Sequence, residues 1–354
     1  MLQPPWPQGR WLVPVTDTAL EPVDRLGRPL RDLRISVTDR CNFRCVYCMP
    51  RRIFDSSHRF LPRRELLTFE EIERVVASVV ALGVSKIRIT GGEPLLRRDL
   101  AQLIELIAAV DGVRDISMTT NASLLTPARA ARLRAAGLAR VNVSLDALDD
   151  DTFARINDVA TPVATVLDGI EAAAAAGLGP VKVNMVVKKG MNDHDIVPMA
   201  MHFHGSGHIL RFIEFMDVGN SNRWNPDAVV TSAEIAERIN AVLPIEPMAA
   251  NYRGEVARRW QYRDGGGEIG IISSISEPFC GDCARARLSA TGSLHTCLFA
   301  ASGHDLRAIL RGDDPAALDS MLRRIWQQRE DRYSETRTQV SVLQPKVEMS
   351  FIGG

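Results

Sequence analysis

The chain has 354 residues, 45% of them hydrophobic, with 43 Lys plus Arg against 43 Asp plus Glu. That length allows two domains, or one large domain with an extension, around a sizeable core. The balanced charge lacks the basic excess of nonspecific nucleic-acid binders, so any anion site must come from local placement of Arg and Lys.

The N-terminal segment MLQPPWPQGRWLVP has no basic start followed by an apolar run, which argues against a signal peptide. No stretch approaches the length of a membrane span. A cytoplasmic protein without membrane or nucleic-acid partners is expected. There, six cysteines point to metal or redox chemistry rather than to disulfides.

Residues 1–30 read as an irregular arm. Short β-branched runs then alternate with helical ones, the pattern of βαβ units and a parallel sheet. Strands are predicted at Leu33–Thr38, Lys86–Thr90, Ile116–Thr120, Val141–Leu145, Val181–Val187 and His208–Phe215. Thr68 and Glu71 form a capping box before a helix whose Ile72, Val75, Val76, Val79 and Val80 share one face, and Gly83 ends it. Thr126 caps a helix with Pro127 in its first turn and Gly137 after its end. Leu100, Leu103, Ile104 and Ile107 mark another buried stripe, and a further helix is expected from about Thr231 to Leu243. The expected fold is α/β, an incomplete (βα)6 TIM-like barrel over 31–243. A C-terminal α+β extension over 244–354 would carry a second cysteine group.

Parallel strands are usually apolar on both faces. Here one parity is polar in strand after strand: Arg34, Ser36 and Thr38; Lys86, Arg88 and Thr90; Thr119 and Asn121; Asn142, Ser144 and Asp146; Lys182 and Asn184. If the apolar parity packs against helices, the polar one points into the lumen, where unpaired charge is unfavourable. Five strands in phase imply a large polar ligand with negative charge. The plainer alternative is pairing with carboxylates, or snorkelling to the rim.

Cys41, Cys45 and Cys48 form a C-x3-C-x2-C run on the loop after the first predicted strand, at the end of the barrel where such folds place their chemistry. Three thiolates can hold three irons of a [4Fe–4S] cluster and leave the fourth open to a small molecule. Tyr47, between two of the ligands, could pack against that molecule. Cys280, Cys283 and Cys297 form a second triad, C-x2-C-x13-C. Zinc is the alternative for both triads, with His295 or His304 as the fourth ligand of the second. His202, His204 and His208 read as a solvated turn rather than as a metal site.

The first cysteine run resembles the radical S-adenosylmethionine (SAM) signature. Thr90-Gly91-Gly92-Glu93-Pro94 resembles the motif that binds the SAM amino group in that superfamily. Ser144 and Met216 match further positions that contact SAM. From Leu33 to Gly354 the chain resembles the GTP 3′,8-cyclase family of molybdenum cofactor biosynthesis. The likeness lies in LRISVTDRC, KIRITGGEP, MTTN, PVKVN, RFIEFM and GEIGII, together with the second triad and the terminal Gly-Gly.

The resemblance implies a lyase with two [4Fe–4S] clusters and SAM. Cleavage of SAM would yield a 5′-deoxyadenosyl radical that takes hydrogen from the ribose 3′ carbon of GTP. The ribose carbon would then attack C8 of the same guanine, held at the second cluster. By matching positions it implies GTP contacts from Arg34, Arg88, Thr119, Lys182, Arg285 and Arg287. It also implies catalytic roles for Arg285, Arg287 and the tail residues Gly353 and Gly354. Its implied partners are an electron donor such as flavodoxin or ferredoxin, the next enzyme, cyclic pyranopterin monophosphate synthase, and a second copy in a homodimer. Other readings are a radical SAM enzyme for another nucleotide or a peptide, and a zinc-stabilised binding module without catalysis. The chain departs from the family pattern at Ala284 and Ala286 beside the two Arg, at Ala122 where Gly is usual, and after Arg155, where Ile156-Asn157-Asp158-Val159-Ala160 lacks the usual Thr-Gly and a different loop is expected.

Overall fold

The computed structural model describes residues 21–353 apart from 313, 339–341 and 343. Six strands pair in parallel in chain order: β1 (Asp32–Ser36), β2 (Lys86–Thr90), β3 (Asp115–Thr120), β4 (Arg140–Ser144), β5 (Lys182–Val187) and β6 (Ile209–Glu214). Each lies within two residues of its predicted run. The connections carry α1 (Phe69–Val80), α2 (Leu100–Ala109), α3 (Pro127–Ala135), α4 (Asp150–Asn157), α5 (Val163–Ala175) and α6 (Ile196–Phe203); α7 (Ser232–Asn240) follows β6. Thr68 and Glu71 make the expected reciprocal capping box on α1, and Thr126 caps α3. No helix among the described residues is long and apolar enough to cross a membrane.

The alternation of faces is as the sequence pattern requires. Leu33, Ile35, Ile87, Ile89, Met118, Val141, Val143, Val183 and Met185 are buried in one continuous core with the inner faces of α1 to α6. The opposite faces line the lumen.

The extension does more than sit beside the barrel. Its strands are β7 (Ile245–Met248), β8 (Arg258–Tyr262), β9 (Glu268–Ile272), β10 (Arg285–Leu288), β11 (Ser293–His295) and β12 (His304–Asp305). They join the same sheet at both edges, in the order β12-β11-β10-β1-β2-β3-β4-β5-β6-β9-β8-β7. Both flanking neighbours are parallel: β9 runs with β6, and β10 with β1. The βα rhythm could not reveal these two strands, because no crossover helix precedes either. Residues 273–284 instead carry the chain from one edge of the arc to the other, bearing Cys280 and Cys283. Helices α8 (Arg307–Leu310), α9 (Pro315–Gln327), α10 (Tyr333–Thr336) and α11 (Met349–Ile352) complete the chain.

Of the arm expected at 1–30, residues 1–20 lie outside the described residues. Val23 and Pro29 form a β-bridge, and Asp24, Arg28 and Leu30 are buried. This segment is therefore packed rather than loose.

Two departures from the family pattern have a backbone consequence. Ala122 (φ 57°) and Asp158 (φ 51°) both adopt the left-handed conformation in which glycine is at ease. The backbone keeps its glycine-like course at each, at roughly 1–2 kcal/mol of local strain per residue. Ala122 is held there by helix α5, where a Cβ on Gly169 would come 2.5 Å from the Ala122 carbonyl oxygen.

Candidate active site

One cavity reaches from the first cysteine triad to the second, lined by the inward faces of the strands. The triads lie at opposite ends of it. Cys41 follows the C-terminal end of β1, whereas Arg285, next after Cys283 and Ala284, pairs with Asp32 at the N-terminal end of β1. A strand of this length separates them by roughly 15–20 Å.

The cysteine loop at the upper end is braced from three neighbouring strand ends. After β2, Gly92 N–H donates to the Thr38 carbonyl and Glu93 N–H to the Arg40 carbonyl, both at 2.8 Å. A Cβ on Gly92 would overlap the Arg40 carbonyl oxygen, and one on Gly91 would fall 2.5 Å from that of Thr38. The glycine pair thus serves close approach to the chain's own cysteine loop. After β3, Asn121 Nδ2 donates to Asn42 Oδ1 at 2.9 Å. After β4, Arg44 N–H and Val46 N–H donate to the Asn157 and Ile156 carbonyls at 2.8 and 2.9 Å, so the αL turn at Asp158 still supports the loop.

Glu93 is buried, and burial raises its carboxyl to about 6 despite hydrogen bonds from Asn121 N–H, Thr120 and Leu95 N–H. Oε1 accepts from Leu95 N–H (3.0 Å) and Thr120 Oγ1 (2.7 Å), whereas among the described residues Oε2 accepts only from Asn121 N–H (2.8 Å), leaving a lone pair free. Tyr47, Ser144 and Met216 line the same end of the cavity. Tyr47 donates to Asp146 Oδ2 at 2.7 Å, an interaction that motif spacing does not disclose.

The middle of the lumen is cationic. Arg34, Arg88, Thr119, Lys182, Arg285 and Arg287, all expected there, line it together with Lys86, Asn184 and Arg211. Among the described residues Arg34, Arg88, Lys182, Arg211, Arg285 and Arg287 form no ion pair. The buried Nε atoms of Arg34, Arg88 and Arg211 have no hydrogen-bond partner at all. Arg140, paired with Asp115, and Arg329, paired with Asp24 and Asp331, meet the alternative of internal neutralisation. Burial first, then neighbouring Arg211, Arg140 and Arg88, lowers Lys182 to about 7. Burial and its guanidinium neighbours lower Arg34 as well, and Arg287 falls to about 10. Arg211 stands apart from the polar parity because its β6 neighbour on that face is Ile213.

At the lower end Arg285 and Arg287 alternate with the buried Ala286 and Leu288, so Ala286 points away from the lumen. The Ala284 carbonyl accepts from Arg31 and Asp32 N–H at 2.9 and 3.1 Å. Arg287 also donates to the Gly353 carbonyl. A Cβ on Gly353 would run into the Thr90 side chain, so the tail lies against the lumen wall; Gly354 is outside the described residues.

The donor sets fit clusters better than single ions. A tetrahedral zinc with bonds of about 2.3 Å would draw its thiolates to roughly 3.8 Å from one another. In neither triad do all three sulfurs lie within 4.8 Å of each other. His295 and His304 do not line the cavity at the second triad. Burial raises Cys41 to about 11 and raises Cys45 and Cys48 strongly. Burial would raise Cys283 too, but Arg285 (3.3 Å from its sulfur) and Arg329 bring it down to about 6. Of the three histidines read as a solvated turn, His204 pairs with Asp264 and His208 with Glu171.

Residues 35–202 match the family model of the radical SAM superfamily, and residues 208–335 that of Molybdenum Cofactor Synthesis C. A GTP 3′,8-cyclase of Acidothermus cellulolyticus is 53% identical, covering 94% of this chain and 98% of the relative. The chain belongs to the GTP 3′,8-cyclase family of radical SAM enzymes. Other members of that family from Xanthomonas axonopodis pv. citri and Staphylococcus epidermidis are 52% and 48% identical, each over 94% of this chain and 98% of its own length. In fold the chain is similar to Streptococcus suis SuiB bound to its precursor peptide SuiA, with a TM-score of 0.59 at 15% identity over 87% of this chain and 66% of that one. For the family's residents, SAM and two [4Fe–4S] clusters, the chain offers two wide cysteine triads and a strand-end pocket beside the first.

Gly92→Ala is expected to push the Arg40–Cys41 backbone away and to empty the first triad alone. Iron and sulfide analysis after anaerobic reconstitution should then fall from about eight to about four irons per chain.

Proposed function

We propose that this chain converts GTP to 3′,8-cyclo-7,8-dihydro-GTP in molybdenum cofactor biosynthesis, and that the cationic lumen is where the triphosphate binds. The observation that carries the reading is the set of buried and half-buried Arg and Lys side chains in the lumen that form no ion pair with a carboxylate among the described residues. Burying such groups is unfavourable unless a ligand pairs with them. A triphosphate supplies several anionic oxygens, and guanidinium groups match them with paired donors. A peptide substrate would leave most of these cations unpaired.

In this reading Cys41, Cys45 and Cys48 hold the first cluster, and Cys280, Cys283 and Cys297 the second. Glu93, through its free Oε2 lone pair, holds the SAM ammonium; Tyr47, Gly91, Gly92, Ser144 and Met216 shape the rest of that pocket. Bound there, cluster and SAM supply a 5′-deoxyadenosyl radical. Arg34, Arg88, Thr119 and Lys182 orient the nucleotide between the triads. Arg285 and Arg287 hold it at the second one, Gly353 closes the lumen wall and excludes water, and Gly353 and Gly354 both take part in catalysis. Division into an arm (1–30), a partial barrel (31–243) and a cluster- and substrate-binding region (244–354) follows from these roles. The same reading gives a cytoplasmic enzyme, electrons from flavodoxin or ferredoxin, delivery of product to cyclic pyranopterin monophosphate synthase, and a homodimer.

Anaerobically reconstituted, dithionite-reduced protein is expected to form 5′-deoxyadenosine from SAM when GTP is present and far less with other nucleotides. A colourless protein carrying zinc and no sulfide, or SAM cleavage indifferent to GTP, would overturn the reading. Arg34→Met should raise the thermal midpoint of the nucleotide-free protein, since an apolar side chain replaces an unpaired buried cation, a change worth about 1–4 kcal/mol. It should weaken GTP binding at least tenfold, as read by titration. Burial lowers Lys182 to about 7, which makes it mostly neutral at pH 8. An arriving triphosphate raises it, and binding must then draw a proton from the buffer. Calorimetric titration at pH 8 in buffers of different ionisation enthalpy should detect that uptake, and Lys182→Arg should abolish it.

A further inference from the structure

The second cysteine triad sits on a loop with little regular structure, yet two of its ligands are fastened from a distant part of the chain. Asp24, Arg28 and Arg329 form a buried triad of their own, with side chains no more than 2% exposed. Asp24 Oδ2 accepts from Arg28 Nε at 2.5 Å and from Arg329 Nη1 at 3.2 Å. Arg28 Nη1 donates onward to the Cys280 carbonyl at 2.7 Å and to the Asp331 carbonyl at 2.8 Å. Arg329 Nη1 donates to the Cys283 carbonyl at 2.6 Å. Behind them, Trp326 Nε1 donates to the Arg28 carbonyl at 3.0 Å, and Arg25 N–H donates to the Arg329 carbonyl at 3.1 Å.

We propose that Asp24, Arg28 and Arg329 are positioning residues for the second iron–sulfur cluster, locking the Cys280 and Cys283 backbone so that both sulfurs face one site. The proposal rests on the reading that the second triad holds a cluster. Arg329 Nε also pairs with Asp331 Oδ2 at 3.3 Å, so two carboxylates balance the two guanidinium groups. Arg329 also reaches the cavity wall, where its charge acts on the cluster directly. Partners of this kind around metal ligands typically change metal retention by 10–100-fold when removed. The arrangement also explains why residues 21–30 are packed in a chain whose barrel begins only at Asp32.

The test compares wild type, Arg329→Gln, Arg28→Gln and the near-isosteric Asp24→Asn after anaerobic reconstitution, with Cys283→Ala as the one-cluster reference. Each network variant is expected to lose about half of its iron to a chelator 10–100-fold faster than wild type. The electron paramagnetic resonance spectrum of what remains should match the Cys283→Ala reference and still shift on addition of SAM. Slow SAM cleavage without GTP should persist. Retention of both clusters at the wild-type chelation rate would overturn the proposal, and so would loss of both clusters together, which marks general unfolding. If the arginine variants do not fold, Asp24→Asn alone decides between these outcomes. A wild-type protein that takes up only about four irons would instead overturn the two-cluster reading itself.

Discussion

The interior of this barrel is filled with like charges that do not neutralise one another. Arg34, Arg88, Lys182, Arg211, Arg285 and Arg287 project from five strands into one lumen, and among the described residues none has a carboxylate partner. Water that would screen them is partly excluded, and each guanidinium raises the cost of charging its neighbours, as the lowered Lys182 and Arg287 record. Such an interior persists only if the scaffold is rigid enough to resist it. The apolar faces of the same strands, packed against six helices, supply that rigidity.

The open arc also determines where the two cysteine triads can be. Strands β9 and β10 extend the parallel set at opposite edges, so the connection between them must traverse the lumen's open side. That connection carries Cys280 and Cys283, and β11 leads directly into Cys297. The first triad sits beyond the C-terminal ends of the strands and the second near their N-terminal ends, with the cations between them. A nucleotide bridging that distance meets both centres at once. This is the separation that the proposed division of labour requires, with one end generating the radical and the other holding its target.

Backbone packing, rather than side-chain chemistry, fixes several of the motif residues. Gly92 is needed because the Arg40 carbonyl lies where its Cβ would be, and Gly353 because Thr90 does. Ala122 and Asp158 show the converse. A non-glycine residue can occupy a left-handed position if the surrounding contacts outweigh the strain. Glu93 binds its own chain through three donors, which preorganise its loop and oppose the rise in carboxyl pKa that burial imposes.

Local periodicity determined the six core strands, the helix caps, the apolar face and the cationic face. Each depends only on which residues lie two or four positions apart, and the cysteine spacings are local in the same way. The two flanking parallel strands were not legible, because no helix announces them and their partners β1 and β6 are remote in sequence. Arg211 escaped the polar parity because Ile213 shares its face. The pairing of Tyr47 with Asp146, and the grip of Asp24, Arg28 and Arg329 on the second cysteine loop, were equally hidden. Arg28 and the Cys280 carbonyl it holds are 252 residues apart, and no periodicity of the chain encodes a contact between them. Only the folded sheet, by pairing β10 with β1, decided it.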